Sequence, residues 1–187
     1  MMTRKQPSRA RSKLRAVFDS NVYVAKALSK NPRSPNAELF ALLQDDEYFL
    51  IWCQEIRVEL TEKLLVRGLT VERVAEFIAE ITSLAIWIDV PASEIRRYVK
   101  DDPDDDIIVA CAVAGKATYI VSNDRHLLDL YEPFPGCLVL DSLHFLFLIR
   151  GDKVSLRTRL RNWLWRLVGT MTFSEARITS NLMRTFC

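Results

Sequence analysis

Histidine is almost missing from this chain: there are two among 187 residues, His126 and His144, and no H-E-x-x-H pair. That excludes a zinc-protease helix of this kind. Cysteine is sparse, and Cys53, Cys111, Cys137 and Cys187 form no C-x-x-C or Cys/His spacing, which argues against a structural zinc site. Three of the four lie in apolar surroundings and read as buried thiols kept in a reducing compartment. No long apolar run exists. The richest, Cys137 to Ile149, is broken by Asp141 and His144 and falls short of the roughly 20 residues that span a bilayer. The N-terminus is basic but has no apolar core, so it is not read as a secretory signal. Net charge is small too, +2, but the sum hides a segregation. Residues 1–15 carry six Lys/Arg and no acid, and residues 150–187 carry eight Lys/Arg and two acids. The middle therefore holds 12 basic and 22 acidic side chains. Such a core does not attract a polyanion by bulk charge. Any nucleic acid it handles must be met through metal ions or through the tails.

With 49% hydrophobic and 27% charged residues, the composition is globular, and the length suits one domain with tails. Leu14–Phe18, Tyr48–Trp52, Ala85–Val90, Thr118–Val121 and Cys137–Leu140 read as strands. Helical spacing appears over 36–43, 54–66 (stopped at Gly68), 71–84, 107–114 and from Ser142 to about Arg150. Ser93–Val99 begins like a short capped helix, and Asn31–Pro35 is a turn. Strands alternating with helices predict a parallel sheet covered on both faces, with its functional crevice at the carboxyl ends of the strands.

That rule selects four acids. Asp19 follows the first strand, Asp124 lies just beyond the fourth, and Asp106 opens the helix that precedes it. Glu59 lies in the second turn of the helix after the second strand, less than about 10 Å from the same edge at 1.5 Å per residue. Carboxylates packed this closely repel one another, and a hard divalent cation, Mg²⁺ or Mn²⁺, offsets that repulsion. Each acid also has an ordinary reading. Asp19 suits a turn or helix cap, and Asp102–Asp106 suits a solvated loop plus an N-cap. Glu59 shares its helix with Glu55 and Glu62, and both histidines read as packing or surface residues. A calcium loop counted from Asp102 would need Gly and Glu where Ile107 and Val113 stand.

Taken in order, these segments resemble the PIN-domain ribonucleases. Val17-Phe18-Asp19-Ser20-Asn21-Val22 is similar to the family's opening motif. Asp102-Pro103-Asp104-Asp105-Asp106, followed by Ile107 to Ala112, resembles its acidic block and small-residue helix. Ile120 to Leu128 resembles its second acidic strand end, Glu55 to Leu60 sits where the family carries an acid after the second strand, and Asp141 to Leu146 resembles its closing helix. The match runs over about 14–150 and looks closest to the toxin components of bacterial and archaeal toxin–antitoxin pairs. Ser20 and Ser122 stand where threonine is commoner, and Asn123 where glycine is frequent.

The resemblance implies a three-layer αβα sandwich around a parallel sheet of about five strands, in a cytoplasmic, metal-dependent endoribonuclease. It implies Asp19, Asp106 and Asp124 as Mg²⁺ or Mn²⁺ ligands and Glu59 as the fourth catalytic acid. Asn21, Ser122 and Asp105 would support them, with the choice between Asp105 and Asp106 as the metal-facing acid resting on the count back from Ala110-Cys111-Ala112. The reaction implied is hydrolysis that leaves a 5′-phosphate and a 3′-hydroxyl, with the cation activating water and stabilising the leaving oxygen. Implied partners are the RNA, a small antitoxin protein and a second copy of the chain. A membrane is not expected.

The outer segments fall outside the resemblance. Residues 1–13 read as a basic flexible leader and 14–150 as the nuclease domain. Residues 151–187 read as a basic extension with an amphipathic helix, its stripe formed by Leu156, Leu160, Trp163, Leu164 and Leu167. That helix is read first as packing on the domain or on a second subunit; Arg157 and Arg161, with Arg125, are the expected RNA contacts. Two other readings stand beside the nuclease. One is a PIN fold that binds RNA or protein without cutting. The other is a haloacid-dehalogenase-like phosphatase, which wants a second Asp at the position of Asn21.

Overall fold

The computed structural model describes residues 13–91, 93, 95, 96, 98, 99, 105–130 and 132–151. The basic leader up to residue 12, Asp102 to Asp104, and the extension with its expected amphipathic helix lie outside the described residues. The chain divides after Arg150 into two units, and every described residue except Gly151 belongs to the first.

Five strands form one sheet: β1 (Leu14–Phe18), β2 (Tyr48–Trp52), β3 (Ile86–Trp87), β4 (Tyr119–Val121) and β5 (Leu138–Leu140). All pairings are parallel, and the order is β3-β2-β1-β4-β5. β1 is central, so its Ala16, Val17 and Phe18 are fully buried. The helices are α1 (Ser20–Leu28), α2 (Pro35–Gln44), α3 (Gln54–Val66), α4 (Val71–Leu84), α5 (Asp106–Ala114), α6 (Arg125–Leu130) and α7 (Ser142–Arg150). None is long and apolar enough to cross a membrane.

Strand alternation decides what each face meets. Phe18 and Tyr48 point to one face, where Phe18 packs against Tyr23 of α1, Phe40 of α2 and Phe145 of α7 at centroid distances of 5.8–6.3 Å. Ile51 and Arg15 point to the other face, toward the end of α5. The result is the expected αβα sandwich.

Gly115 marks a close approach in that second face. A Cβ there would lie 2.4 Å from Ile51 Cγ2 and 3.0 Å from the Cys111 carbonyl oxygen, while Arg15 donates to the Gly115 carbonyl at 2.6 and 3.0 Å. Gly115→Ala is expected to destabilise by about 1–3 kcal/mol through overpacking, read as a lower urea midpoint at unchanged slope.

The bounds of α3 and α4 agree with the helical spacing, and Gly68 ends α3 with φ +85°. Three expectations are corrected. The strand over 85–90 is only two residues long, because β2 ends at Trp52, where Cys53 turns the chain into α3; the last bond runs from Ile88 N–H to the Trp52 carbonyl at 2.8 Å. No α-helix forms at the described positions of 93–99, because the Tyr98 and Val99 amides are taken by the Asp106 carboxylate. Finally, α1 and α6 form where no helix was expected.

Candidate functional site

The site is built on the ends of β1 and β4. Asp19 is the N-cap of α1, its side chain accepting the Asn21 amide at 3.3 Å, so a capping need and a candidate ligand meet in one residue. Its backbone N–H reaches the Val121 carbonyl at 2.9 Å, which docks the end of β1 on β4. The other oxygen, Oδ2, accepts from Ser122 Oγ and from Asn21 Nδ2, each at 2.5 Å. Asn21 Nδ2 also reaches Ser122 Oγ at 3.2 Å, and Asn21 Oδ1 accepts the Asn123 amide at 3.3 Å. Ser122 Oγ further accepts the Asp124 amide at 2.9 Å. Asn21 and Ser122 thus orient two acids from segments far apart in sequence.

Burial pushes the Asp19 carboxyl above its usual pKa; the Ser122 and Asn21 hydrogen bonds oppose the shift, and the field of Glu59 adds to it. Charged Asp19 is therefore an uncomfortable buried anion, suited to a nearby cation.

Glu59 approaches from α3. Ser20 Oγ donates to Glu59 Oε1 at 2.9 Å and lies 3.2 Å from Asp19 Oδ1, so one hydroxyl bridges the two acids. Lys63, one turn further along α3, places Nζ 2.5 Å from Glu59 Oε1 and donates to Ser20 Oγ at 2.8 Å. Burial works against its ammonium, yet the bond to Glu59 and the fields of Asp19 and Asp105 hold its pKa above the usual lysine value. Glu59 thus pairs with Lys63 directly, and Asp19 and Asp105 act on it through their fields.

Adjacent acids at the start of α5 diverge. Asp106 is buried, and its Oδ1 accepts the amides of Tyr98 and Val99, both at 2.7 Å. It anchors the loop that precedes it. Asp105, the N-cap of α5, adds its field to those acting on Lys63. Asp124, half-buried, caps the following turn by accepting the His126 amide at 2.7 Å. Arg125 is exposed at the start of α6, and Arg157 and Arg161 lie outside the described residues. A cavity of about 340 Å³ borders the same rim between Asn36, Asn123 and Ser142.

Sequence reasoning passed over Ser20 as a bridge and Lys63 altogether. The signal for Lys63 was its i,i+4 spacing from Glu59.

The candidate ligands, Asp19, Glu59, Asp105 and Asp124, are all oxygen donors, the chemistry a hard divalent cation takes. Among the described residues no three His, Cys, Asp or Glu side chains stand close enough to hold an ion as placed. The centre is instead neutralised in part by Lys63.

Comparison with known proteins agrees with this architecture. A chain of the crystal structure of VapBC2 from Rickettsia felis bound to a DNA fragment from their promoter shares the fold, with TM-score 0.51 and 15% identity over 68% of this chain and 98% of that one. No curated protein matches significantly. The PIN domain family matches residues 15–126, more than half of the sequence. This chain belongs to the PIN domain family.

Proposed function

We propose that the protein is an endoribonuclease dependent on Mg²⁺ or Mn²⁺, acting as the toxin of a toxin–antitoxin pair in the cytoplasm. The observation that carries this reading is the bridging of Asp19 and Glu59 by Ser20 beside Lys63, with Asp124 tied to Asp19 through Ser122 and the field of Asp105 acting on the same lysine. PIN domains are generally metal-dependent nucleases. In this reading Asp19, Asp105 and Asp124 hold the cation and Glu59 is the fourth acid. Asp106 takes the supporting role that the resemblance assigns to its neighbour, because its Oδ1 is already committed to two amides.

A divalent cation bound here supplies a lowered water pKa and positive charge opposite the leaving oxygen. The chain does the rest. Asn21 and Ser122 fix the Asp19 carboxylate, Ser20 fixes Glu59, and the loop 122–124 presents Asp124. The cavity beside Asn123 receives a nucleotide flanking the cleaved bond. A small antitoxin and a second copy of the chain are the expected partners, and a complex with a partner is also the setting of the VapBC2 structure. Phosphatase chemistry at Asp19 is disfavoured, because Asn21 donates to that carboxylate where a second acid would be needed.

The test is cleavage of a mixed RNA substrate with Mn²⁺, Mg²⁺ or EDTA. Cleavage that needs metal and is lost in folded Asp19→Asn supports the proposal. RNA binding without cleavage under any metal identifies a binding module instead. Ser122→Ala removes the hydroxyl shared by Asp19, Asn21 and Asp124; it is expected to weaken Mn²⁺ binding by about 10–100-fold, measured by calorimetry.

A further inference from the structure

Lys63 is more than a helix salt bridge. An exposed i,i+4 Glu–Lys pair contributes little to stability, and such pairs usually face water. This one is covered by an element remote in sequence: Ser20 of α1 accepts from Nζ and donates to the same Glu59 oxygen. The side chain is still 47% exposed, so its tip can leave without any repacking of the core. It pairs with Glu59, shares the Ser20 hydroxyl that lies 3.2 Å from Asp19, and feels the field of Asp105. Glu59 cannot give the same oxygen fully to the ammonium and to an incoming divalent ion.

We propose that Lys63 is a tethered counter-ion that keeps the acid cluster neutralised in the metal-free protein and must release Glu59 when a divalent cation binds, so that it sets the metal affinity of the site. This rests on the metal-site reading above. Two consequences separate it from a structural role. Without the ammonium, the metal-free carboxylates repel one another and the protein melts at a lower temperature. Without the competitor, Glu59 is available and the cation binds more tightly. A lysine that merely held the fold would change both in the same, unfavourable direction.

The experiment is Mn²⁺ titration of the full chain, followed by the paramagnetic resonance of free Mn²⁺, with melting curves in EDTA. The proteins are wild type, Lys63→Met, Lys63→Gln, Glu59→Gln and the double variant Glu59→Gln/Lys63→Met. Either lysine variant should bind Mn²⁺ about tenfold more tightly than wild type and show a lower Tm in EDTA. In the Glu59→Gln background the gain should vanish, because no carboxylate is left to release. Equal or weaker Mn²⁺ binding by both folded lysine variants overturns the proposal while leaving the metal site intact. So does a gain that persists without Glu59, which would mark a general field effect, or an unchanged Tm in EDTA. If neither wild type nor the lysine variants bind Mn²⁺ at millimolar concentration, the metal-site reading fails with it.

Discussion

Asp19→Asn is expected to lower metal-dependent RNA cleavage by about 10³-fold or more while leaving the fold in place. The buried Val22, Tyr23 and Val24 hold α1 on the sheet, so the helix keeps its place. With its carbonyl where Oδ2 now lies, the amide still accepts from Ser122 and Asn21. The cost falls on the other position, where the amide NH₂ faces the Asn21 N–H and the 3.3 Å capping bond is lost, while the contact to Ser20 Oγ at 3.2 Å can run with the amide as donor. Against that small loss stands the relief of a buried charge. The pH dependence follows with a definite sign. The native pKa of Asp19 is raised, so between its ordinary value and the native one the folded state holds a proton that the unfolded state has released. The contribution of this group to stability is therefore greatest at low pH and declines as pH rises through the native pKa. In EDTA, Asp19→Asn should lack that decline and melt at or above the wild-type temperature at neutral pH. Saturating Mn²⁺ should reverse the ranking, since ligand at 100 times its Kd stabilises by about 2.7 kcal/mol and the variant cannot draw on it.

Asp105→Asn and Asp106→Ala should fail in opposite ways. Asp105→Asn keeps an N-cap residue and is expected to remain folded, with a loss of cleavage of about 10²–10³-fold. Asp106→Ala strips the acceptor from the Tyr98 and Val99 amides, and hydrogen bonds to a charged group contribute about 1.5–3 kcal/mol each. A destabilisation of about 3–5 kcal/mol is expected, seen as a large drop in the urea midpoint. Asp106→Asn, which restores one acceptor oxygen, should recover much of that stability and much of the activity. Measuring cleavage and urea denaturation on the same three variants separates the two roles. A stable but inactive Asp106→Asn beside an active Asp105→Asn would return the metal-facing role to Asp106.

Much of the frame could be read from pattern alone. In α3 and α4 the apolar spacing is regular and the ends are marked by Gly68 and Thr70, so their limits agree residue for residue. α1 was hidden although Asp19 suits a helix cap, because Val22 and Val24 alternate as a strand would. α6 is six residues long, too short for periodicity to register. The choice between Asp105 and Asp106 turns on about 100° of helical rotation and on where the 98–99 amides sit, which neighbouring residues cannot reveal. Lys63 was missed for a related reason. Glu–Lys pairs one turn apart are ordinary on helices, and only the position of Ser20 across from this one sets it apart.

The central place of β1 in the sheet also has a consequence in time. Asp19 is among the first parts of the domain to be synthesised, while Ser122, which orients it, follows 103 positions later. At roughly 5–20 residues per second, that interval is on the order of 5–20 s. Throughout it β1 lacks its neighbour on the β4 side, and the Asn21–Ser122–Asp124 network cannot exist in any form. A growing chain therefore carries most of the acids but no assembled centre. The long-range β1–β4 pairing acts as a clock that withholds the finished centre until translation has passed Asp124.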